Sequence, residues 1–186
     1  LGVFVDGDGP SALVRFDGAR APLAYLDYMT AALPYHLLPQ PRVLVHRDFM
    51  PRNLMPADRG PVVLDFQDAV LGPIAYDALS LFKDAFLSWP LDRVDAWLDH
   101  YHARAAAAGL PVLTLTRFRR DADWIGIQRH LKVLGIFARL NYRDAKPKYL
   151  ADAPRFLAHL DGVVPKYPEL APLRELLDRH VRPTYG

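Results

Sequence analysis

Cysteine is absent from this chain, which excludes disulfides and thiolate metal sites. That absence is compatible with a reducing cytoplasm, the expected location. No apolar run approaches the roughly 20 residues that a membrane helix needs, and no basic-then-apolar signal segment is seen, so no membrane association is expected. A marked excess of one charge sign is missing too. Lys and Arg number 23 against 21 Asp and Glu, for a net charge of +2, and no run of five or six like charges occurs. Such a balance gives no footing for nucleic acid or an anionic surface. Lysine and glutamate are absent from the early chain: the first lysine is Lys83 and the first glutamate is Glu169. Neither an internal repeat nor a low-complexity linker interrupts the 186 residues, a length that suits one substantial domain. Hydrophobic residues make up 51% and charged residues 24%, the balance of an ordinary globular protein.

The informative stretch runs from Val43 to Asp77, VLVHRDFMPRNLMPADRGPVVLDFQDAVLGPIAYD. An apolar strand leads into His46-Arg47-Asp48, Asn53 follows Asp48 by five residues, and a second apolar strand ends in Asp65-Phe66. The spacing H-R-D-x-x-x-x-N followed by D-F is the catalytic-loop and metal-site pattern of the protein-kinase fold. Its chemistry asks for a carboxylate within reach of an acceptor hydroxyl and for oxygen ligands that hold Mg²⁺ against phosphates. Asp48 matches the first requirement, and Asn53 and Asp65 match the second. Leu54-Met55 and Val62-Val63 read as a hairpin around PADRGP, and paired strands about 5 Å apart would return Asp65 to Asn53. A lone H-x-D would be weak; one strand–loop–strand unit carrying all four residues at both spacings is a strong signal.

Helical spacing dominates the rest. Residues 1–18 read as a hairpin with a turn at Asp6–Pro10, and Pro22–Leu38 as an amphipathic helix. Ile74–Trp89 reads as a helix with Leu79, Phe82 and Phe86 on its apolar side and Asp77, Ser80 and Asp84 on its polar side. Pro90 starts another, with Val94, Trp97, Leu98 and Tyr101 as its core stripe, stopped at Gly109-Leu110-Pro111. The longest spans Arg119–Leu140, with Trp124, Ile127, Leu131, Leu134 and Phe137 inward and Gln128, Arg129, His130, Lys132 and Arg139 on the remaining surface. Two short helices follow, Pro154–Gly162 capped by Asp152 and Glu169–Val181. The fold class expected is α+β and mostly helical, with small β-hairpins around the loop that holds Asp48.

On these motifs the chain resembles the bacterial sugar and aminoglycoside phosphotransferases of the protein-kinase-like superfamily. Within them it is most similar to the amino-sugar kinases that phosphorylate N-acetylmuramate and N-acetylglucosamine at the anomeric hydroxyl. The resemblance covers about Pro41 to Gly186 and implies the C-terminal catalytic lobe of that fold, with residues 1–40 a hairpin and helix outside it. It implies ATP and Mg²⁺ as cofactors and a sugar as acceptor. By resemblance Asp48 is the base, Arg52 the nearest cation for the moving phosphoryl group, and Asn53 and Asp65 the metal ligands. His46 becomes a packed scaffold residue, and Asp77 an anchor for the loop backbone. Asp84, Gln128 and Arg129 are the acceptor-binding candidates; a solvated helix face is the plainer account of Asp84 and Ser80, and an exposed basic face that of Gln128, Arg129 and His130.

Departures from the protein-kinase pattern refine the reading. Gln67 replaces the glycine of D-F-G, and only Gln67–Pro73 separates Asp65 from the helix bearing Asp77, which leaves no room for an activation loop. A small-molecule acceptor follows, and Arg47 loses the loop phosphate that is its usual partner. The N-terminal lobe of a kinase supplies a lysine–glutamate pair, and no residue before His46 can provide it. The chain begins at Leu1, and the expectation is a portion of a longer kinase whose full-length chain supplies that lobe. An aminoglycoside phosphotransferase and a non-catalytic, pseudokinase-like binding module are the competing readings.

Overall fold

The structure, a computed structural model, describes residues 2–3, 14–16, 19–20, 40–83, 87, 89–142 and 144–182. The expected helix at Pro22–Leu38, the turn at Asp6–Pro10, and Asp84 and Phe86 lie outside them. The described chain is mostly helical with a few short strands, and it divides into two compact units, residues 35–126 and residues 1–34 with 127–186. Among the described residues, no helix is long and apolar enough to cross a membrane.

In the unit 35–126, strand β4 (Arg42–Val45) pairs antiparallel with β7 (Val70–Pro73), in the register Arg42↔Pro73 to Val45↔Val70. The ladder is extended where Ile74 N–H donates to Pro41 O at 3.0 Å. This pairing was not expected from the sequence, because VLGP is short and carries a strand-weakening glycine and proline. The glycine is what lets it form. A Cβ built on Gly72 would lie 2.6 Å from Val45 Cγ2, so the core-facing Val45 uses the space that a side chain would fill. Strands β5 (Leu54–Met55) and β6 (Val62–Val63) form the expected hairpin, with Leu54↔Val63 and Met55↔Val62.

Helix α1 (Tyr76–Phe82) is seven residues long, shorter than the Ile74–Trp89 expected. It ends where Lys83 N–H bonds Leu79 O and Lys83 leaves helical dihedrals. Ser80 is not on a solvated face: it is fully buried and donates its hydroxyl to Tyr76 O at 2.9 Å. Lys83 is buried as well, 3.9 Å from the Asp123 carboxylate. Helix α2 (Leu91–Ala107) begins after Pro90 as expected. At its end Gly109 N–H bonds Ala106 O and Leu110 N–H bonds Ala105 O, each at 3.0 Å, with Gly109 at φ +73°. This doubly bonded left-handed stop needs a glycine.

Helix α3 (Leu115–Tyr142) starts four residues earlier than Arg119, because Thr114 caps it: its hydroxyl accepts from Arg117 N–H at 3.3 Å. Val94, Leu98 and Ala105 of α2, Ala78 and Leu79 of α1, and Phe118, Ala122 and Ile125 of α3 form one buried cluster. Each large apolar side chain in it contributes about 1.5–3 kcal/mol of burial.

The remaining unit contains a small antiparallel sheet and the later helices. Strand β2 (Val14–Phe16) pairs with β1 (Gly2–Val3) and with β3 (Ala19–Arg20), the last being an addition to the expected hairpin. Ile127, Leu131, Leu134 and Phe137 are buried as expected, but so is His130, which stacks on His159 at 4.8 Å and meets Phe156 edge-on. Helix α4 (Ala153–Val163) follows a 3-10 stretch, Pro147–Asp152, that enters it with helical dihedrals. Asp152 therefore makes no side-chain cap; it pairs with Arg155 instead. The expected Glu169–Val181 helix is composite. A 3-10 turn at Pro168–Leu170 leads into α5 (Ala171–Leu176) and a π turn at Leu177–Val181, with Leu170, Leu173, Leu176 and Leu177 all buried.

Two predictions follow from this packing. Gly72→Ala lowers stability by about 1–3 kcal/mol through overpacking. Adding Val45→Ala gives a double mutant that costs less than the two single changes together, as denaturant unfolding of all three variants will register. The second concerns Asp121, whose carboxyl burial pushes up from its ordinary value of 3.8, opposed by the Arg117 guanidinium 2.9 Å away. Between 3.8 and the raised value the folded state binds more protons than the unfolded state, so this group's contribution falls as pH rises through that window. Asp121→Asn removes that fall, seen as a gain in urea midpoint over wild type that grows with pH above about 4.

Candidate active site

The site residues of the Val43–Asp77 stretch all lie in the unit 35–126. Strand β4 delivers the chain at His46, and there the backbone turns onto a carboxylate. His46 N–H donates to Asp77 Oδ2 at 2.6 Å, and Arg47 N–H donates to Asp77 Oδ1 at 3.0 Å. Arg47 has φ +77°, a left-handed conformation that a non-glycine residue adopts only when its surroundings enforce it. Asp77 is in the first turn of α1, and Ala78 and Leu79 beside it are core residues. The core thereby sets the position of the loop.

The loop then closes on itself. A 3-10 turn at Pro51–Asn53 begins with proline, whose missing N–H costs nothing there, and Asn53 N–H bonds Met50 O at 2.9 Å. The Asn53 amide nitrogen donates to Asp48 O at 2.8 Å, which leaves its Oδ1 as the atom available for a cation. Leu64 N–H donates to Asn53 O at 2.9 Å, continuing the β5–β6 ladder by one step. Asp65 follows immediately, so Asn53 and Asp65 are diagonal neighbours across the hairpin.

His46 Nε2 donates to Leu64 O at 2.8 Å, which selects its tautomer, and Phe49 meets the ring edge-on at 6.0 Å. His46 Nδ1 is buried with no hydrogen-bond partner among the described residues. A ring bonded to a backbone carbonyl on one side and dry on the other braces the hairpin against the loop. Asp48 and Arg52 are exposed.

Asp65 has φ +64° and is exposed. Its Oδ1 accepts a hydrogen bond from the Gln67 side-chain amide. Phe66–Ala69 is a turn closed by Ala69 N–H to Phe66 O at 3.1 Å, and Arg47 Nη1 reaches Asp68 O at 3.4 Å. Arg47 thus contacts a turn carbonyl. One exposed carboxylate and one amide oxygen of the half-buried Asn53 suit Mg²⁺, which takes one or two carboxylates and completes its shell with water and phosphate oxygens. Among the described residues there is no cluster of three or more His, Cys, Asp or Glu that would form a closed cage.

Gln128 and Arg129 are half-buried on α3 within the other unit, and Asp84 lies outside the described residues. What sequence reasoning missed is the Phe66–Ala69 turn. Its signal was present as Gln67, a side chain able to donate where the related pattern has glycine.

Residues 12–116 match the model of the phosphotransferase enzyme family, and the chain belongs to that family. Among curated relatives, it is 58% identical over 141 residues to the N-acetylmuramate/N-acetylglucosamine kinase of Pseudomonas putida, a match covering 75% of this chain and 42% of that protein. The proteins of the same name from Pseudomonas aeruginosa and Neisseria meningitidis serogroup B are 56% and 55% identical over 141 and 142 residues. Those matches cover 75% and 76% of this chain. The chain thus spans 42% of the length of these relatives.

The double hydrogen bond at Asp77 generates the next prediction. Asp77→Ala deprives two backbone N–H groups of a charged acceptor, each such bond contributing about 1.5–3 kcal/mol. Amide hydrogen exchange at His46 and Arg47 should accelerate well beyond that of the Leu98 amide in α2, which serves as the internal reference.

Proposed function

We propose that the chain carries the acceptor-side and metal-binding half of an ATP- and Mg²⁺-dependent kinase that phosphorylates an amino sugar, N-acetylmuramate or N-acetylglucosamine. The observation that carries this reading is the loop geometry. Asp77 holds the backbone that carries Asp48, and the hairpin bonded to that loop pairs Asn53 with Leu64, the residue before Asp65. The names and identities of the relatives support the acceptor class.

In this reading residues 41–186 form a C-terminal catalytic lobe of the protein-kinase-like fold. Asp48 accepts the proton of the attacking sugar hydroxyl at its carboxylate, and its exposure leaves that carboxylate open to an incoming ligand. Arg52 offers positive charge to the transferring group. Asn53 Oδ1 and the Asp65 carboxylate would hold Mg²⁺, which would neutralise phosphate charge. His46 and Asp77 position the loop. Gln128, Arg129 and Asp84 are proposed to contact the acceptor, the arginine suiting the carboxylate of N-acetylmuramate. With no lysine before Lys83 and no glutamate before Glu169, the nucleotide-clamping pair is proposed to come from outside the residues of this chain.

Labelled ATP, Mg²⁺ and a panel of amino sugars and aminoglycosides, incubated with the full-length protein, test the proposal. Transfer to N-acetylmuramate or N-acetylglucosamine is expected; transfer to kanamycin alone would replace the acceptor class, and ATP binding without transfer would replace the enzyme. Asp48→Asn should lower kcat by about 10²–10⁴-fold, the usual worth of a positioned base, with an unchanged circular dichroism spectrum.

A further inference from the structure

We infer that Gln67 is a positioning residue for the divalent cation, acting through Asp65. The inference rests on the proposed role of Asp65 as a metal ligand and deepens it. The backbone on either side of Asp65 is already committed. Leu64 uses its N–H on Asn53 O and its O on the His46 ring, and the following turn is closed by Ala69 N–H on Phe66 O. Arg47 ties that turn back to the loop through Asp68 O. With φ at +64°, Asp65 projects its side chain from a left-handed residue outside the β5–β6 ladder, and the side-chain torsions are the freedom that remains.

The Gln67 amide removes it by donating to Oδ1. One oxygen is thereby occupied by a neutral donor, and Oδ2 is left to bind a cation through a single oxygen. A glycine at this position has no such donor. A carboxylate held in one orientation before the metal arrives loses less torsional freedom on binding, and outer partners of this kind typically govern metal affinity by about 10–100-fold. Exposure of both residues puts Gln67 at the lower end of that range.

The test uses Mn²⁺ alone as the probe. Free Mn²⁺ is followed by electron paramagnetic resonance during titration of the full-length protein, comparing wild type, Gln67→Ala and Asp65→Asn, and each protein's melting temperature is recorded. Wild type should bind, Asp65→Asn should lose binding, and Gln67→Ala should bind about tenfold more weakly at an unchanged melting temperature. In turnover, Gln67→Ala should raise the Mg²⁺ concentration for half-maximal rate by a similar factor while kcat at saturating Mg²⁺ stays within about twofold. Wild-type affinity in Gln67→Ala, with binding lost in Asp65→Asn, overturns the inference about Gln67 and leaves the metal reading standing. Undiminished binding in Asp65→Asn, or none in wild type, overturns both. A lowered melting temperature in Gln67→Ala reassigns the bond to folding and also overturns the inference.

Discussion

The site depends on one carboxylate that serves two consecutive backbone N–H groups. For the amides of His46 and Arg47 to converge on Asp77, the chain must turn sharply, and Arg47 takes φ +77° to do so. A left-handed residue costs about 1–2 kcal/mol, whereas two hydrogen bonds to a charged acceptor contribute about 1.5–3 kcal/mol each. The bonds win, so the turned loop is the stable form while Asp77 is in place. Its place is set by burial: Ala78, Leu79 and Ser80, the next residues of the same short helix, are all in the interior.

From that anchor the constraints pass along a chain of hydrogen bonds. The His46 ring holds Leu64 O, Leu64 N–H holds Asn53 O, and the Asn53 amide holds Asp48 O. Each link joins a side chain to backbone or backbone to backbone, and none uses the Asp48 carboxylate or Asn53 Oδ1. The framework is satisfied by atoms other than those the proposed chemistry needs. This division lets a surface loop be rigid and still present acceptor oxygens outward.

What was legible in the sequence was the part that folds locally. The spacing of His46, Asp48, Asn53 and Asp65 and the β5–β6 hairpin fall within about twenty residues, where pattern and turn chemistry decide the outcome. The helices around Leu98 and Leu131 were equally readable from their apolar stripes. Ser80 and His130 were misread as surface because polarity is only a correlate of exposure. Ser80 satisfies its hydroxyl on the preceding turn of its own helix, and His130 buries its ring against His159 and Phe156, partners more than twenty residues away. Strand β7 was hidden for a similar reason. A glycine and a proline argue against a strand until Val45 is seen to occupy the space above Gly72.

That hidden strand constrains function as much as the visible motif does. Once Val70–Pro73 pairs with β4, the chain leaving Asp65 has a single tight turn, Phe66–Ala69, in which to reach it. That tight turn leaves no long regulatory loop between Asp65 and the strand. Arg47, whose counterpart in the protein-kinase pattern receives a loop phosphate, meets the carbonyl of Asp68 within the turn. A contact to a backbone carbonyl needs no modification to form. The loop, the turn and the Asp65 carboxylate are therefore held in one arrangement by constant partners. Under the proposed function, control of such a site falls to its ligands: metal and nucleotide at Asn53 and Asp65, and an acceptor at Asp48.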